Sequence, residues 1–251
     1  MLDFEFPASI DALEEPNGLL AMGGDLSPQR LLHAYSRGIF PWFSSNEPIL
    51  WWAPDPRAVL VPSEFKVSKS FGKSLKKRGY RLSLNLEFLS VVRACAAPRR
   101  SQEGTWILPS MISAYSALHR LGYAHSIEVW RQDVLIGGLY GVCLGKAFFG
   151  ESMFSIETDA SKAALASLAY LGQMGYFEFI DCQVESQHLT SMGARSVNRE
   201  SFEHKLENAI SEDMEQVRQI IKGVNPTAKH RVPWGDMLPE SAAELLLELS
   251  A

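Results

Sequence analysis

The sequence predicts a mixed α/β fold, and three observations carry that prediction. Beyond Pro56, helix-like and strand-like hydrophobic periods alternate along the chain. Between His125 and Ser155 stand three strand-like runs, HSIEVWR, VLIGGLYGVCL and KAFFGESMF. Only the turn pairs Gln132-Asp133 and Gly145-Lys146 separate them, which is the pattern of an antiparallel meander. An alanine- and leucine-rich helical stretch, about Ser161 to Gly172, then leads into one more strand, FEFIDCQ. With 46% hydrophobic and 21% charged residues, the 251-residue chain has an ordinary globular composition and can bury a sizeable core.

The stretch to about Pro56 is rich in turn formers and aromatics (EEPNG, GGDLSP, FPWFSSNEPILWWAPDP). It reads as a small N-terminal domain, residues 1–56, that closes in a proline-rich linker. One helix fits there, from Pro28 to Gly38. Ser27 is its N-cap, Pro28 takes the first helical position and Gly38 lies past its end. The prolines from 41 to 56 rule out a regular element of any length. The larger domain, 57–251, opens with VSKSFGKSLKKRG, a short helix capped by Ser68 and ended by Gly79, with Phe71 and Leu75 on its buried face. A strand from Arg81 to Leu86 follows, then helices from Leu86 to Ala97 and from Ser110 to Leu121, the second closed by Gly122. After the meander, the long helix and FEFIDCQ comes a short helix from about Ser186 to Met192. Meander, helix, strand, helix is the order of an acetyltransferase-like mixed sheet. The tail from about residue 225 carries no assignment.

No run of about 18 apolar residues reads as a membrane span. The acidic start, MLDFEFPASIDALEEP, lacks the order of a signal peptide. Cys95, Cys143 and Cys182 are scattered and odd in number, as expected of reduced thiols in the cytoplasm. Charge is uneven. Lys66, Lys69, Lys73, Lys76, Lys77, Arg78 and Arg81 follow one another with no acid between them, and against a chain net of −5 their seven charges leave −12 on the rest. On the helix, Lys69, Lys73, Lys76 and Lys77 fall on one side. A solvated helix face accounts for such a run; a site for a phosphate backbone accounts for it too.

Metal binding is not expected, because the six histidines and three cysteines show no ligand spacing. A nucleophile elbow, a Walker loop and a GxGxxG turn are also missing. His125 and Cys182 read as packed structural residues. The polar residues inside apolar strands say more: Glu151 in AFFGESMF, and Asp181 and Gln183 in FIDCQ. A buried carboxylate needs a partner, so each must have a reason to be there. Alternation puts Asp181 and Gln183 on one side and Cys182 on the other. If the two strands are neighbours, three polar groups converge on an apolar-walled pocket. Structural pairing with lysine or arginine is the competing reading. Gly137, Gly138, Gly141, Gly145 and Gly150 mark bulges or close approaches to the backbone. Trp42, Trp51, Trp52 and Trp106 seal a junction or offer a face to a nucleobase.

Taken together, EPNGLLAMGGDLSP, GIFPWFS, ILWWAPDPRAVL, EGTWI, HSIEVW, GGLYGV, FFGESMFS, ASK and IDCQ, followed by His188 and SMGA, resemble bacterial leucyl/phenylalanyl-tRNA–protein transferases in order and spacing. The resemblance spans about residues 14 to 200. It implies an aminoacyltransferase that moves leucine or phenylalanine, and methionine less well, from aminoacyl-tRNA to proteins beginning with arginine or lysine, marking them for degradation by the N-end rule. It further implies a monomer with neither metal nor cofactor, using tRNA where acetyltransferases use coenzyme A. Carried over, Asp181 and Gln183 look like the catalytic pair and Glu151 like a substrate-orienting carboxylate. Trp42 and Trp106 resemble residues shaping the 3′-adenosine and aminoacyl site, with Leu139, Ala147, Phe148 and Met153 lining the side-chain pocket. Lys73, Lys76, Lys77 and Arg78 resemble a cluster that holds the acceptor stem.

Overall fold

The computed structural model describes residues 5–97, 107–222 and 237–249. Before Pro56 lie β1 (Leu19–Met22), α1 (Pro28–Tyr35), β2 (Phe40–Pro41) and β3 (Leu50–Trp52). The Ser27 hydroxyl accepts from the Arg30 N–H to start α1, and Gly38 sits at φ +70° just beyond its end, as the sequence predicts. The prolines from 41 to 56 do keep β2 and β3 to two and three residues. They do not prevent an antiparallel sheet ordered β1-β3-β2, because a strand that short needs few ladder bonds.

The main sheet takes β4 (Arg57–Leu60), β5 (Arg81–Leu84), β6 (Ala124–Arg131), β7 (Val134–Leu144), β8 (Ala147–Ser155), β9 (Phe179–Gln183) and β10 (Arg195–Val197). Among the described residues its order is β10-β4-β9-β8-β7-β6-β5. The β6–β8 meander is antiparallel and β9 lies parallel to β8, so the helix α5 (Ala160–Gln173) is the crossover that a parallel pair requires. The mixed α/β class and the meander–helix–strand–helix order are those expected.

One face of this sheet is covered by α3 (Phe88–Ala96), α4 (Pro109–Arg120), α7 (Arg199–Ile210) and α8 (Met214–Ile221), together with α1. Tyr35, Ile39 and Trp51 from the first 56 residues join Val91, Tyr115, Tyr140 and Phe149 in a single buried cluster. The opposite face is covered by α5, by α2 (Lys69–Arg78) and by α9 (Ala242–Glu248). Helix α2 has the predicted caps, with the Ser68 hydroxyl accepting from the Phe71 N–H and Gly79 left-handed at φ +62°. Phe71 and Leu75 are buried and Lys73, Lys76 and Lys77 exposed. Residues 237–249 pack onto the fold: the Leu82 N–H donates to the Glu240 carbonyl and the Ala242 N–H to that of Tyr80, and α9 packs on α2 and α5. The short helix α6 (Gln187–Ser191) follows β9.

Candidate active site

Two bulges on neighbouring strands build the site. In β8, Gly141 pairs with Gly150 and Tyr140 with Ser152, which leaves Glu151 as the extra residue. A bulge locally re-aims a side chain, and here it turns a carboxylate out of an apolar ladder. Gly141 opposite is required by space, since a Cβ there would lie 2.2 Å from the Phe149 carbonyl oxygen. In β9, Val59 pairs with Asp181 and Ala58 with Gln183, so Cys182 is the extra residue. Gln183 takes φ +63°, a left-handed conformation that ends the strand and swings its amide towards Glu151.

Glu151 is buried, with 8% of its surface exposed. The Tyr35 hydroxyl is hydrogen-bonded to its Oε1 at 2.7 Å, that of Tyr115 to its Oε2 at 2.6 Å, and Gln183 Nε2 donates to Oε1 at 3.1 Å. Burial pushes the carboxyl up to about 7; the two phenols and Arg57 pull against this, and Asp181 adds to it. Asp181 is fully buried. Arg57 holds it from both sides, Nε donating to Oδ1 at 2.8 Å and Nη2 to Oδ2 at 2.6 Å. The guanidinium lies between the rings of Phe40 and Phe202, 4.8 and 4.6 Å from their centroids. The Gln183 N–H donates to Asp181 Oδ1 at 2.9 Å. Arginine, aspartate, glutamine and glutamate thus form one continuous chain of contacts.

The chain ends at a cleft of about 420 Å³. Leu139, Met153, Leu165, Leu168, Ile180 and Leu189 make its apolar wall, and Glu151 and Gln183 its polar end. Trp42 lines it with 46% of its surface exposed, its ring tilted against Trp52 at 5.7 Å. An apolar pocket that ends in a carboxylate–amide pair has the anatomy of a small-ligand site.

Several expectations need correction or completion. Asp181 does not line the cleft; both its oxygens are taken by Arg57, so any influence on a substrate passes through Gln183. Phe148 is 1% exposed; its ring packs over Gly141 and lies tilted against Phe177 with centroids 5.7 Å apart, so it is spent in the core beneath the wall. Ala147 faces the other side of the sheet, in the cluster with Tyr140 and Phe149. Leu139 and Met153 do line the cleft, and so does Cys182, whose thiol burial drives far above its ordinary range. Trp106 lies outside the described residues. Arg78 is partly spent within the fold, with Nε donating to Ser74 Oγ at 2.9 Å. Among the described residues no group of His, Cys, Asp and Glu is placed to hold a metal.

Sequence reasoning missed Arg57, Tyr35 and Tyr115. Arg57 heads the apolar run RAVL, so the signal that marked Glu151, a charge inside an apolar strand, was present there too. Tyr35 and Tyr115 gave none, because an aromatic on the inner face of a helix reads as core.

The mixed sheet and the carboxylate–amide pair at the polar end of an apolar cleft have the anatomy of an enzyme site, and the relatives of the chain give its class as an acyltransferase. A family model described as leucyl/phenylalanyl-tRNA protein transferase matches residues 59–207, and one for that family's N-terminal domain matches 24–55. A leucyl/phenylalanyl-tRNA–protein transferase of Nitrosospira multiformis is 56% identical over 209 residues, 83% of this chain and 90% of the relative. One of Idiomarina loihiensis is 54% identical, covering 83% and 89%. The chain belongs to the leucyl/phenylalanyl-tRNA–protein transferase family and is an aminoacyltransferase. Among solved structures, L-PGS from Bacillus licheniformis aligns over 74% of this chain and 66% of its own, at 11% identity and a TM-score of 0.37, a similarity too loose to define fold or function.

Proposed function

We propose that this enzyme transfers leucine or phenylalanine, and methionine less efficiently, from aminoacyl-tRNA to the N-terminal arginine or lysine of cytoplasmic proteins, marking them for degradation by the N-end rule. The observation that carries the reading is the Glu151–Gln183 contact at the end of the apolar cleft. The donor's side chain enters that cleft, its terminal adenosine lies by Trp42, and its α-amino group meets Glu151. The exposed Lys73, Lys76 and Lys77 hold the acceptor stem without reading its sequence. No helix among the described residues is long and apolar enough to cross a membrane.

The ester on tRNA is already activated, so the chemistry is aminolysis: the acceptor nitrogen forms a bond to the carbonyl carbon and the 3′-oxygen leaves. An α-amine with a pKa of about 7.7–8.0 is partly neutral near pH 7 and needs positioning more than deprotonation. Holding it in line with the ester contributes several kcal/mol. Because Gln183 Nε2 is given to Glu151, its amide oxygen is left to accept from the attacking N–H and aim the lone pair at the carbonyl. Asp181 and Arg57 keep that amide in place from below.

Labelled leucyl-tRNA supplied with a peptide beginning in arginine, and with the same peptide beginning in alanine, tests the proposal. Label on the first alone is expected; label on neither, or equally on both, refutes it.

A further inference from the structure

We propose that Tyr35, Tyr115 and Glu151 form a closed ring of three hydrogen bonds that needs the carboxyl proton, so that the free enzyme holds Glu151 as a neutral acid and hands this proton to the α-nitrogen of the incoming donor residue. Three contacts close the ring. Tyr35 Oη lies 2.7 Å from Glu151 Oε1, Tyr115 Oη lies 2.6 Å from Oε2, and the two phenol oxygens are 2.7 Å apart. Each is the length of a true O–H···O bond, at which two oxygens with no proton between them would repel. The two phenols bring two protons, enough for two contacts. The third contact is satisfied only if the carboxyl group brings its own.

Gln183 decides where that proton sits. Its Nε2 donates to Oε1, which favours Oε1 as the carbonyl oxygen. Oε2–H then donates to Tyr115, Tyr115 to Tyr35, and Tyr35 back to Oε1. The groups facing Glu151 come from every element packed around it: Tyr35 of α1, Tyr115 of α4, Tyr140 of β7, Asp181 and Gln183 of β9 and Arg57 of β4. Arg57 is the one cation among these, and Asp181 already binds it with both oxygens. Burial holds the carboxyl up and drives both phenols well above their ordinary range, so the phenols keep their protons.

The step rests on the donor reading given above. As the donor's neutral α-amine enters, the carboxyl O–H breaks, a new N–H forms, the ring opens at the contact that has lost its proton, and a carboxylate is left facing an ammonium. Protons and charge balance without a further reactant. The residue to be transferred thereby loses its own nucleophile, so that only the acceptor's amine can attack. The adjacent positive charge also makes its ester carbonyl more electrophilic. Tyr35 and Tyr115 are positioning residues for this acid.

Infrared difference spectroscopy on the free enzyme tests the ring. At pH 6 the wild type is expected to show a carboxylic-acid C=O band that Glu151→Gln lacks, that fades with a midpoint near 7, and that is displaced in Tyr115→Phe. Should Glu151→Gln fail to fold, displacement in Tyr115→Phe makes the same assignment. A wild type with only carboxylate bands at pH 6, or a band that Tyr115→Phe leaves unmoved, overturns the ring. Saturation with an adenosine carrying leucine through a 3′-amide, at pH 7 where part of its α-amine is neutral, is expected to abolish the band that remains there. A bound analogue with the band intact overturns the proton transfer and leaves the donor reading standing. Failure of the analogue to bind sinks the donor reading, and the transfer with it, while the free-enzyme band still judges the ring.

Discussion

At the scale of single residues, the site is built from charges that the fold must hold away from water. Glu151 has its carboxyl raised from 4.5 to about 7 by burial. A raised carboxyl binds its proton more tightly folded than unfolded, so its contribution to stability is full below about 4.5 and is lost as pH rises through about 7. Denaturant unfolding at pH 5 and pH 8 is therefore expected to show the wild type losing on the order of 3 kcal/mol more than Glu151→Gln across that interval. Equal losses in both proteins would mean that the carboxyl titrates at its ordinary value. Asp181 presents the opposite case, a charge matched so closely that removing it harms the fold as well as the chemistry. Asp181→Ala strands the Arg57 guanidinium between two rings, and should cost about 3–5 kcal/mol. Arg57→Met added to Asp181→Ala should recover much of that stability, because an apolar pair replaces a broken ionic one. Turnover should stay low in both, since the Gln183 N–H has lost its acceptor. Recovery of turnover along with stability would remove Asp181 from the mechanism.

At the scale of elements, α9 is a brace for the basic helix. Its Ser241 cap box starts the helix, and Ala242, Leu245 and Leu246 are buried in the cluster that holds Phe71 and Leu75 of α2. The lysines of α2 point the other way, so the brace leaves them open to solvent. Leu245→Ala should cost about 2–5 kcal/mol, the range for emptying a buried leucine site. Amide hydrogen exchange should quicken across α2 more than across α1, which packs on the other face of the sheet. Uniform quickening would mean that α9 supports the whole molecule and not α2 in particular. Much at this scale was legible in the chain itself. Ser27, Ser68 and Gly79 cap their helices as read, and the meander turns fall where Gln132-Asp133 and Gly145-Lys146 placed them. The three-stranded sheet before Pro56 was not legible, because strands of two to four residues are too short to show a period.

At the scale of the whole molecule, seven positive charges between Lys66 and Arg81 stand against −12 elsewhere. Such a field concentrates a polyanion at one place and repels it from the rest, and salt weakens it. Reversing Lys73, Lys76 and Lys77 to glutamate should raise KM for leucyl-tRNA at least tenfold and flatten its salt dependence. Transfer from a minimal aminoacyl-adenosine should be spared. Equal losses with both donors would move the tRNA site away from α2.

The amino-acid sequence alone determined the α/β class, the helix ends and the basic face of α2, and it marked Glu151, Asp181 and Gln183 as polar residues set in apolar strands. These are local matters: hydrophobic period, cap chemistry and the cost of a charge in an apolar run all act within a few residues. Tertiary structure alone decided that Arg57 would take Asp181 from across 124 positions, and that Tyr35 and Tyr115 would meet on Glu151. It also decided that a bulge would fall at Glu151 and another at Cys182. A bulge is a mismatch between two paired strands, and a buried ion pair joins two distant ones. Neither exists until the partner strand is in place, which is why no reading of one segment at a time could find them.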